Sequence, residues 1–298
     1  MRLNIIFILL LLLGSLTTAA QERRLKIYIS ADMEGVVGAV TGDQLGPAGF
    51  EYQRFREFMT QEVNAAIEAA FAAGATEIVV SDSHGNGQNL LIEKLPKNVM
   101  IVRAFPRPLM MMQGIDETFD GVIFLGYHSS TTNMQGIRAH TISSARLADV
   151  RLNNVSMPEG GINAAIAGHF NVPVIMVSGD DAACAEVKKI IGDVEEAVVK
   201  WNYGFHSAKT MTPQAAYELI GARVRTAIGR IKDFKPYKLK TPVQLDVRFK
   251  SYRPSEVLSY LSIVQRTDAH SIRFMGRDII ETSKFIEFIV TYDPALEP

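Results

Sequence analysis

Short apolar runs alternate with helical patterns along this chain, and this alternation limits the folds that it can adopt. Apolar runs typical of buried strands occupy residues 25–29, 78–80, 99–102, 122–125 and 172–177. Between the first two runs, Phe55, Met59 and Val63 recur at helical spacing within residues 51–73, and Gly74 follows as a stop signal. Strands that alternate with helices predict an α/β fold, with a largely parallel sheet and flanking helices.

The pattern of the sequence changes after about residue 190, where strong chemical motifs end. Before that point, Pro158 and Glu159 open a helical pattern that extends to residue 167. Beyond it, residues 213–231 predict a long helix, and residues 232–242 are rich in Lys and Pro, as in a linker. Strand and helix patterns without a strong chemical motif then alternate at residues 243–249, 254–264, 271–275 and 279–290. We interpret residues 191–298 as a smaller C-terminal domain of α+β type, or as an extension used in assembly.

The first 20 residues have the pattern of an export signal. Arg2 precedes an apolar run at residues 5–13, and small residues follow up to Ala20. The apolar run is shorter than the roughly 20 residues that a membrane-spanning helix needs, although an uncleaved anchor is the alternative. We therefore predict a signal peptide at residues 1–20 and an exported protein, periplasmic or extracellular, with no stable membrane insertion after cleavage.

Charge and cysteine content exclude some classes of partner and bond. The formal net charge of -1 provides no basic surface for nucleic acid. Cys184 is the only cysteine, so no intrachain disulfide can form. Its alanine-rich surroundings are typical of a small buried residue and not of a nucleophile.

Metal-binding side chains follow three of the predicted strands. Asp32 and Glu34 come directly after the first strand, His84 follows the second, and His128 follows the fourth. Ligands of open parallel sheets bind at the carboxyl ends of the strands, so we expect these side chains to lie close together. Carboxylates and imidazoles are the ligand types that hold zinc or a similar divalent ion. Residues 21–190 are thus predicted to form an α/β metal-binding catalytic domain.

Two further residues each have two interpretations. Glu159, at the start of a predicted helix, is either a carboxylate that interacts with the helix dipole, worth ~0.3–1 kcal/mol, or a metal ligand among small residues. His140, in the segment after His128, is either a loop histidine bonded to backbone or a group that binds metal or transfers a proton. The other three histidines lack such a context and are interpreted as surface or structural residues: His169, His206 and His270.

The number of candidate ligands favours two metal ions. A catalytic zinc keeps one of its four positions open for water, so it uses fewer ligands than Asp32, Glu34, His84, His128 and Glu159 together supply. Five ligands divide between two ions if one carboxylate bridges them, and Asp32 is best placed to do so. Two ions roughly 3.5–4 Å apart can activate water and polarise a carbonyl, which is the chemistry of amide, ester or phosphate hydrolysis.

The same residues lie in ordered segments: Ser30-Ala31-Asp32-Met33-Glu34-Gly35, Ser81-Asp82-Ser83-His84, Leu125-Gly126-Tyr127-His128 and Pro158-Glu159-Gly160-Gly161-Ile162-Asn163-Ala164. In this order they resemble the segments of the zinc-dependent D-aminopeptidase family, the M55 peptidases. Another segment, Val177-Ser178-Gly179-Asp180-Asp181, also resembles that family. The similarity runs from about residue 25 to residue 181 and continues more weakly to the end of the chain.

The resemblance implies a site and an activity. It implies two Zn²⁺ ions per chain, held by Asp32, Glu34, His84, His128 and Glu159, with Asp32 as the bridge. It also implies that His140 is the catalytic histidine, described in the family as a nucleophile, although such an imidazole can equally act as general acid or base, or stabilise an oxyanion. The implied reaction is hydrolysis of the amino-terminal residue, D-Ala or another small D-residue, from short peptides by a homo-oligomer, possibly a ring.

Two other functions use similar residues. A two-metal phosphoesterase would also need cations to hold the phosphate, and Arg103, Arg107 and Arg138 are the candidates near the motifs. A non-catalytic periplasmic protein that binds metal or peptide would hold its metal without an open coordination position. Metal analysis together with peptidase assays distinguishes these alternatives.

Overall fold

A computed structural model of the chain describes residues 24–292. The predicted signal peptide at residues 1–20 lies outside the described residues. Among the described residues, no helix is long and apolar enough to cross a membrane.

The described residues form two sheets and six α-helices. The strands, in chain order, are β1 (Lys26–Ala31), β2 (Glu77–Asp82), β3 (Met100–Val102), β4 (Gly121–Tyr127), β5 (Leu147–Leu152), β6 (Val155–Ser156), β7 (Val174–Asp180), β8 (Glu195–Gly204), β9 (Ser207–Thr210), β10 (Val243–Phe249), β11 (Val264–Arg266) and β12 (Ser271–Gly276). The helices are α1 (Tyr52–Ala72), α2 (Glu159–His169), α3 (Asp181–Ile191), α4 (Pro213–Gly229), α5 (Arg253–Leu258) and α6 (Ile279–Thr291). Three short 3-10 turns occupy Gly42–Gln44, Ile92–Lys94 and Met110–Met112.

The main sheet has the strand order β3-β2-β1-β4-β7-β8-β9. All neighbouring strands are parallel except β8 and β9. Helices α1 and α4 pack together on one face, and α2 and α3 cover the other. Strands β4 and β7 are buried along their whole length, as expected for central strands of a sheet covered on both faces. This arrangement confirms the predicted α/β fold with a largely parallel sheet and flanking helices.

The strand order of the main sheet reverses next to β1. The chain adds β2 and β3 on one side of β1 and then crosses to place β4 on the other side. The chain continues from β1 to α1 on one face of the sheet and from β4 towards α2 on the other face, so a crevice opens at the carboxyl edge beside these two strands. This crevice is where the metal-binding motifs emerge.

The second sheet is antiparallel, with the order β11-β12-β10-β5-β6. Its apolar residues belong to the same core as helices α2 and α3, so it lies on that side of the main sheet, and α6 packs against both α2 and the sheet. Each sheet takes strands from both sides of residue 190, because β5 and β6 join the second sheet while β8 and β9 join the main one. The predicted division of the chain at that residue therefore does not coincide with the division between the sheets.

Candidate metal centre

The side chains predicted to bind metal all lie at the crevice between β1 and β4. Asp32 follows β1 directly, His128 follows β4 directly, and His84 follows β2 after one intervening residue. Glu159 is the first residue of α2. With Glu34, these side chains are only 1–8% exposed. Three strand ends and one helix start thus bring five ligand-type side chains to one buried place.

Two glycines allow the loops after β1 and β4 to touch. The Gly35 amide donates a hydrogen bond to the Gly126 carbonyl oxygen at 2.6 Å. A Cβ atom at Gly35 would lie 2.1 Å from the Tyr127 carbonyl oxygen, and one at Gly126, whose φ is +67°, would lie 2.2 Å from the Asp32 carbonyl oxygen. Such contacts are too close for any side chain. Glycine at both positions therefore brings the carboxylate motif beside the histidine motif.

A buried lysine and a buried glutamate hold the loop that contains Glu34. The Lys200 ammonium, from β8, donates hydrogen bonds to the carbonyl oxygens of Glu34, Val36 and Ala39. Glu62, from α1, accepts a hydrogen bond from the Val37 amide at 2.8 Å. Both groups are almost completely buried. Sequence reasoning missed both residues, although a lysine within the apolar run 197–201 is a visible signal.

Each histidine of the site is oriented by a backbone carbonyl. His84 Nε2–H donates to the Leu45 oxygen at 2.6 Å, His128 Nδ1–H donates to the Ser129 oxygen at 3.0 Å, and His140 Nδ1–H donates to the Arg138 oxygen at 2.8 Å. Because a carbonyl can only accept, these bonds fix which ring nitrogen carries the proton. The other nitrogen of each ring is turned towards the carboxylates, as in metal-ligating histidines.

Asp32 lies between two groups of side chains. Its Oδ1 is 3.2 Å from His84 Nδ1, and Glu34 Oε2 is 2.8 Å from that nitrogen. Its Oδ2 is 3.3 Å from His128 Nε2, and Glu159 Oε2 is 3.3 Å from that nitrogen. Each histidine nitrogen therefore faces two carboxylates, and Asp32 is common to both groups.

His140 lies across the two groups in the loop between β4 and β5. Its ring stacks on the His128 ring with centroids 4.0 Å apart and planes 8° from parallel. Its Nε2 is 3.9 Å from Glu34 Oε1 and 3.8 Å from Glu159 Oε1. The His140 side chain is 13% exposed, more than those of the other site residues. It therefore faces both the cluster and the open side of the crevice.

The donor set fits a divalent cation. The buried atoms Asp32 Oδ2, Glu34 Oε2 and His128 Nε2 accept or donate no hydrogen bond of normal geometry within residues 24–292, although Glu34 Oε2 lies 2.8 Å from His84 Nδ1. Ligand atoms of Asp32, Glu34 and His128 lie within 4.8 Å of one another, as do those of His128, His140 and Glu159. Lone pairs that face each other at such distances repel unless a proton or a cation lies between them. Oxygen and imidazole nitrogen donors are ligands that zinc accepts.

The pKa values of the clustered side chains also indicate that their carboxylates need a positive charge beside them. Burial and the Glu34 carboxylate raise the pKa of Asp32 to about 7. Burial alone would lower the pKa of His128, but the Glu159 and Asp32 carboxylates raise it to about 10. Burial likewise opposes a rise at His84, yet the Glu34 and Asp32 carboxylates hold its pKa well above the usual value. The cluster thus retains protons at neutral pH wherever a metal ion does not replace them.

Comparison with known proteins places the chain in a family. A family model described as D-aminopeptidase, peptidase M55, matches residues 25–288. The chain belongs to the M55 D-aminopeptidase family. The D-aminopeptidase of Bacillus subtilis strain 168 is 31% identical over 258 residues, covering 86% of this chain and 93% of that protein. The solved structure of the Zn-dependent D-aminopeptidase DppA from Bacillus subtilis, a self-compartmentalizing protease, matches with a TM-score of 0.86 and 30% identity, covering 89% of this chain and 97% of that one.

Membership of the M55 family confirms the resemblance seen in the sequence motifs and the prediction of a hydrolase of the aminopeptidase class. The structural match covers almost the whole described chain, so it also confirms the fold class. The motif glycines Gly35 and Gly126 now have a physical reason, which is the contact between the two loops. The structure brings together the six predicted site residues: Asp32, Glu34, His84, His128, His140 and Glu159.

Proposed function

We propose that this protein is a zinc aminopeptidase with a binuclear site, which removes the amino-terminal residue from short peptides. The ligands are Asp32, Glu34, His84, His128 and Glu159. The observation that supports this proposal most strongly is that Asp32 presents its two oxygens to two different histidines, at 3.2 Å and 3.3 Å. A carboxylate in this position suits a bridge between two ions.

The proposed ligands divide into two sets around Asp32. His84 and Glu34 would hold one ion, and His128 and Glu159 would hold the other, in line with the two groups of side chains in the crevice. Two protein ligands and a shared carboxylate leave room at each ion for water and substrate. When bound, the zinc ions supply Lewis acidity towards the scissile carbonyl and the attacking water.

We assign proton transfer to His140. Its Nδ1–H donates to the Arg138 carbonyl, so Nε2 is the nitrogen that exchanges protons on the cluster side. Burial and the nearby His128 lower the pKa of His140, which keeps Nε2 available as a base. In this role, Nε2 accepts a proton from the attacking water and returns it to the amine that leaves. The imidazole is held in place by its stacking on His128.

The substrate is proposed from the relatives. The activity of the similar Bacillus subtilis proteins supports a preference for an amino-terminal D-residue, D-Ala or another small one. The description of DppA as self-compartmentalizing supports a homo-oligomer, possibly a ring, for this chain as well. The pattern of the first 20 residues supports export to the periplasm or the exterior.

The alternatives receive less support from the crevice. Arg107, a cation considered for phosphate binding, is 5% exposed and donates to Ser81 and to the Asp82 carbonyl. Neither it nor Arg103 or Arg138 lines the cleft beside the cluster. A protein that only binds metal or peptide has no need for a low-pKa imidazole between two carboxylates, which is the position of His140.

The proposal is tested by metal analysis and paired assays. The purified protein should contain about two zinc ions per chain and hydrolyse D-Ala para-nitroanilide faster than its L-Ala counterpart. A chelator should abolish the activity, and added zinc should restore it. Hydrolysis that survives complete zinc removal, or hydrolysis of para-nitrophenyl phosphate in place of both anilides, would refute the proposed function.

A further inference from the structure

A small cleft opens from the metal centre towards α6. Its volume is about 380 Å³, at the small end of the ~300–1,000 Å³ typical of sites for small molecules. One wall contains residues of the metal centre, including Glu34 and His140. Ile142, Ser143 and Arg146 line the same cleft, together with the last turns of α6, including Val290. Arg146 and the end of α6 therefore share one cleft with the metal centre.

The charges that line this cleft are mostly negative. Asp32, Glu34, Glu159 and Glu287 contribute carboxylates. Among the described residues that line the cleft, Arg146 is the only lysine or arginine. A short peptide has a carboxylate at its C-terminus, within a residue or two of the scissile bond. Zinc ions held by Asp32, Glu34 and Glu159 would offset the charges of those three side chains. Beyond the metal centre, Glu287 and Arg146 are then the charged residues that line the cleft, and of these two only Arg146 can attract that carboxylate.

Arg146 is held so that part of its guanidinium is available. Its Nη1 donates to the Val290 carbonyl oxygen at 2.6 Å. Its own backbone oxygen accepts from the Lys250 amide at 2.8 Å, which fixes the segment to β10 and its following turn. For Nε and Nη2, no acceptor is found within the part of the chain that the structure describes. The exposed guanidinium thus has N–H donors left for a carboxylate, with the planar geometry that favours this partner.

We propose that Arg146 binds the C-terminal carboxylate of a short peptide while the metal centre cleaves its amino-terminal residue. This inference rests on the proposed aminopeptidase function and narrows its substrate class to short peptides with a free C-terminus, dipeptides above all. Glu287 also lines the cleft, but its Oε1 already accepts a hydrogen bond from the Arg107 amide at 2.9 Å. Contact of the scissile carbonyl with the metal centre and of the C-terminal carboxylate with Arg146 then sets the orientation of the peptide in the cleft.

A purely structural role for Arg146 is the competing explanation. The bond to Val290 places a cation at the C-terminal end of α6, where it satisfies a free carbonyl and interacts favourably with the helix dipole. That role affects the stability of the helix but does not distinguish one substrate from another. Substrate discrimination therefore separates the two explanations.

The test compares two dipeptides that differ only at the C-terminus. Zinc-loaded full-length protein is assayed with D-Ala-D-Ala and with its C-terminal amide, and D-Ala para-nitroanilide serves as a substrate without a carboxylate. The variants are Arg146→Gln and Arg146→Lys. Arg277→Gln is the matched control, because it removes an exposed arginine just before the opposite end of α6. Melting temperatures are measured for all of them.

We expect Arg146→Gln to lower kcat/KM for D-Ala-D-Ala by about 10-fold, mainly through KM, as for loss of one hydrogen bond to a charged group. The amide and the anilide should change less than twofold, and Arg146→Lys should recover part of the loss. Equal losses for acid and amide, or a lower melting temperature without a change in their ratio, would overturn the inference and leave the proposed function intact. If wild-type protein cleaved none of the three substrates, the proposed function would fail, and the inference with it.

Discussion

The contact between the loops after β1 and β4 can be tested by adding one methyl group at Gly35. The new Cβ would lie 2.1 Å from the Tyr127 carbonyl oxygen and 2.3 Å from the Gly126 carbonyl carbon. Carbon and oxygen atoms in favourable contact are ~3.3–3.6 Å apart, so the loops must separate by about 1 Å. Because φ at Gly35 lies outside the left-handed region, Gly35→Ala tests this steric contact and not backbone strain.

Two effects of different size follow from this displacement. Overpacking costs about 1–3 kcal/mol of stability, or roughly 2–12 °C in melting temperature at ~2–4 °C per kcal/mol. The effect on function is larger, because Glu34 precedes the substituted residue and metal–ligand distances tolerate only about 0.2 Å of change. A 1 Å misplacement of a reacting group can cost about 100-fold in rate. We therefore expect kcat/KM to fall by about 100-fold, with weaker zinc binding.

The assay combines three measurements on the same preparations: zinc content, the melting temperature and kcat/KM for D-Ala para-nitroanilide. Gly46→Ala is the control, since a Cβ at Gly46 meets no atom within 4 Å and its φ is also outside the left-handed region. This control should stay within ~1 kcal/mol of the original stability and keep full activity. If Gly35→Ala retained its zinc and a kcat/KM within twofold of the original, the reasoning about loop contact would be wrong.

Three shorter predictions concern the cluster itself. His140→Ala should lower kcat by ~10²–10⁴-fold while zinc content, measured by atomic absorption, stays unchanged; loss of zinc would instead make His140 a ligand. Asp32→Asn should reduce bound zinc from about two ions per chain to one or none, and full retention would contradict a bridging role. In the metal-free protein the pKa of His128 is raised to about 10, so its ring holds a proton at pH 8. Zinc binding should therefore release at least one proton per chain at pH 8 and weaken as the pH falls, which calorimetry in buffers of different ionisation enthalpy will measure.

The main sheet could be predicted because its inner strands are apolar and buried on both faces. Strands β1, β4 and β7 are almost entirely buried, so each one contains a short apolar run, at residues 27–29, 122–125 and 174–177. The site followed from the same pattern, since residues directly after parallel strands meet at one edge of the sheet. Asp32 and His128 are each the first residue after such a strand. The positions of these two residues in the sequence therefore predict that they lie at the carboxyl edge of the sheet.

Strands β5 and β8 could not be predicted in this way. In β5 and β8, charged residues such as Arg151, Glu195 and Glu196 interrupt the apolar pattern, because one face or end of each strand meets solvent. The second sheet also pairs β5 with β10, which follows about 90 residues later in the chain. Periodicity within a short window contains no information on such distant pairing. The same limit applies to Arg146, whose relation to the cleft depends on the distant helix α6.

Lys200 lies far from the motifs in the sequence, yet it positions the loop of Glu34 without bonding to a metal-binding oxygen. Its ammonium is buried beside acidic groups, and burial lowers its pKa to about 8 against the opposing influence of Asp180 and Glu62. It donates to the backbone oxygen of Glu34 and not to the Glu34 carboxylate, whose Oε2 makes no hydrogen bond of normal geometry among the described residues. A cation bonded to that carboxylate would occupy a ligand position. Because the Lys200 ammonium instead bonds to the backbone, it fixes the loop and adds positive charge near the Glu34 and Asp32 carboxylates, whose oxygens stay available for zinc.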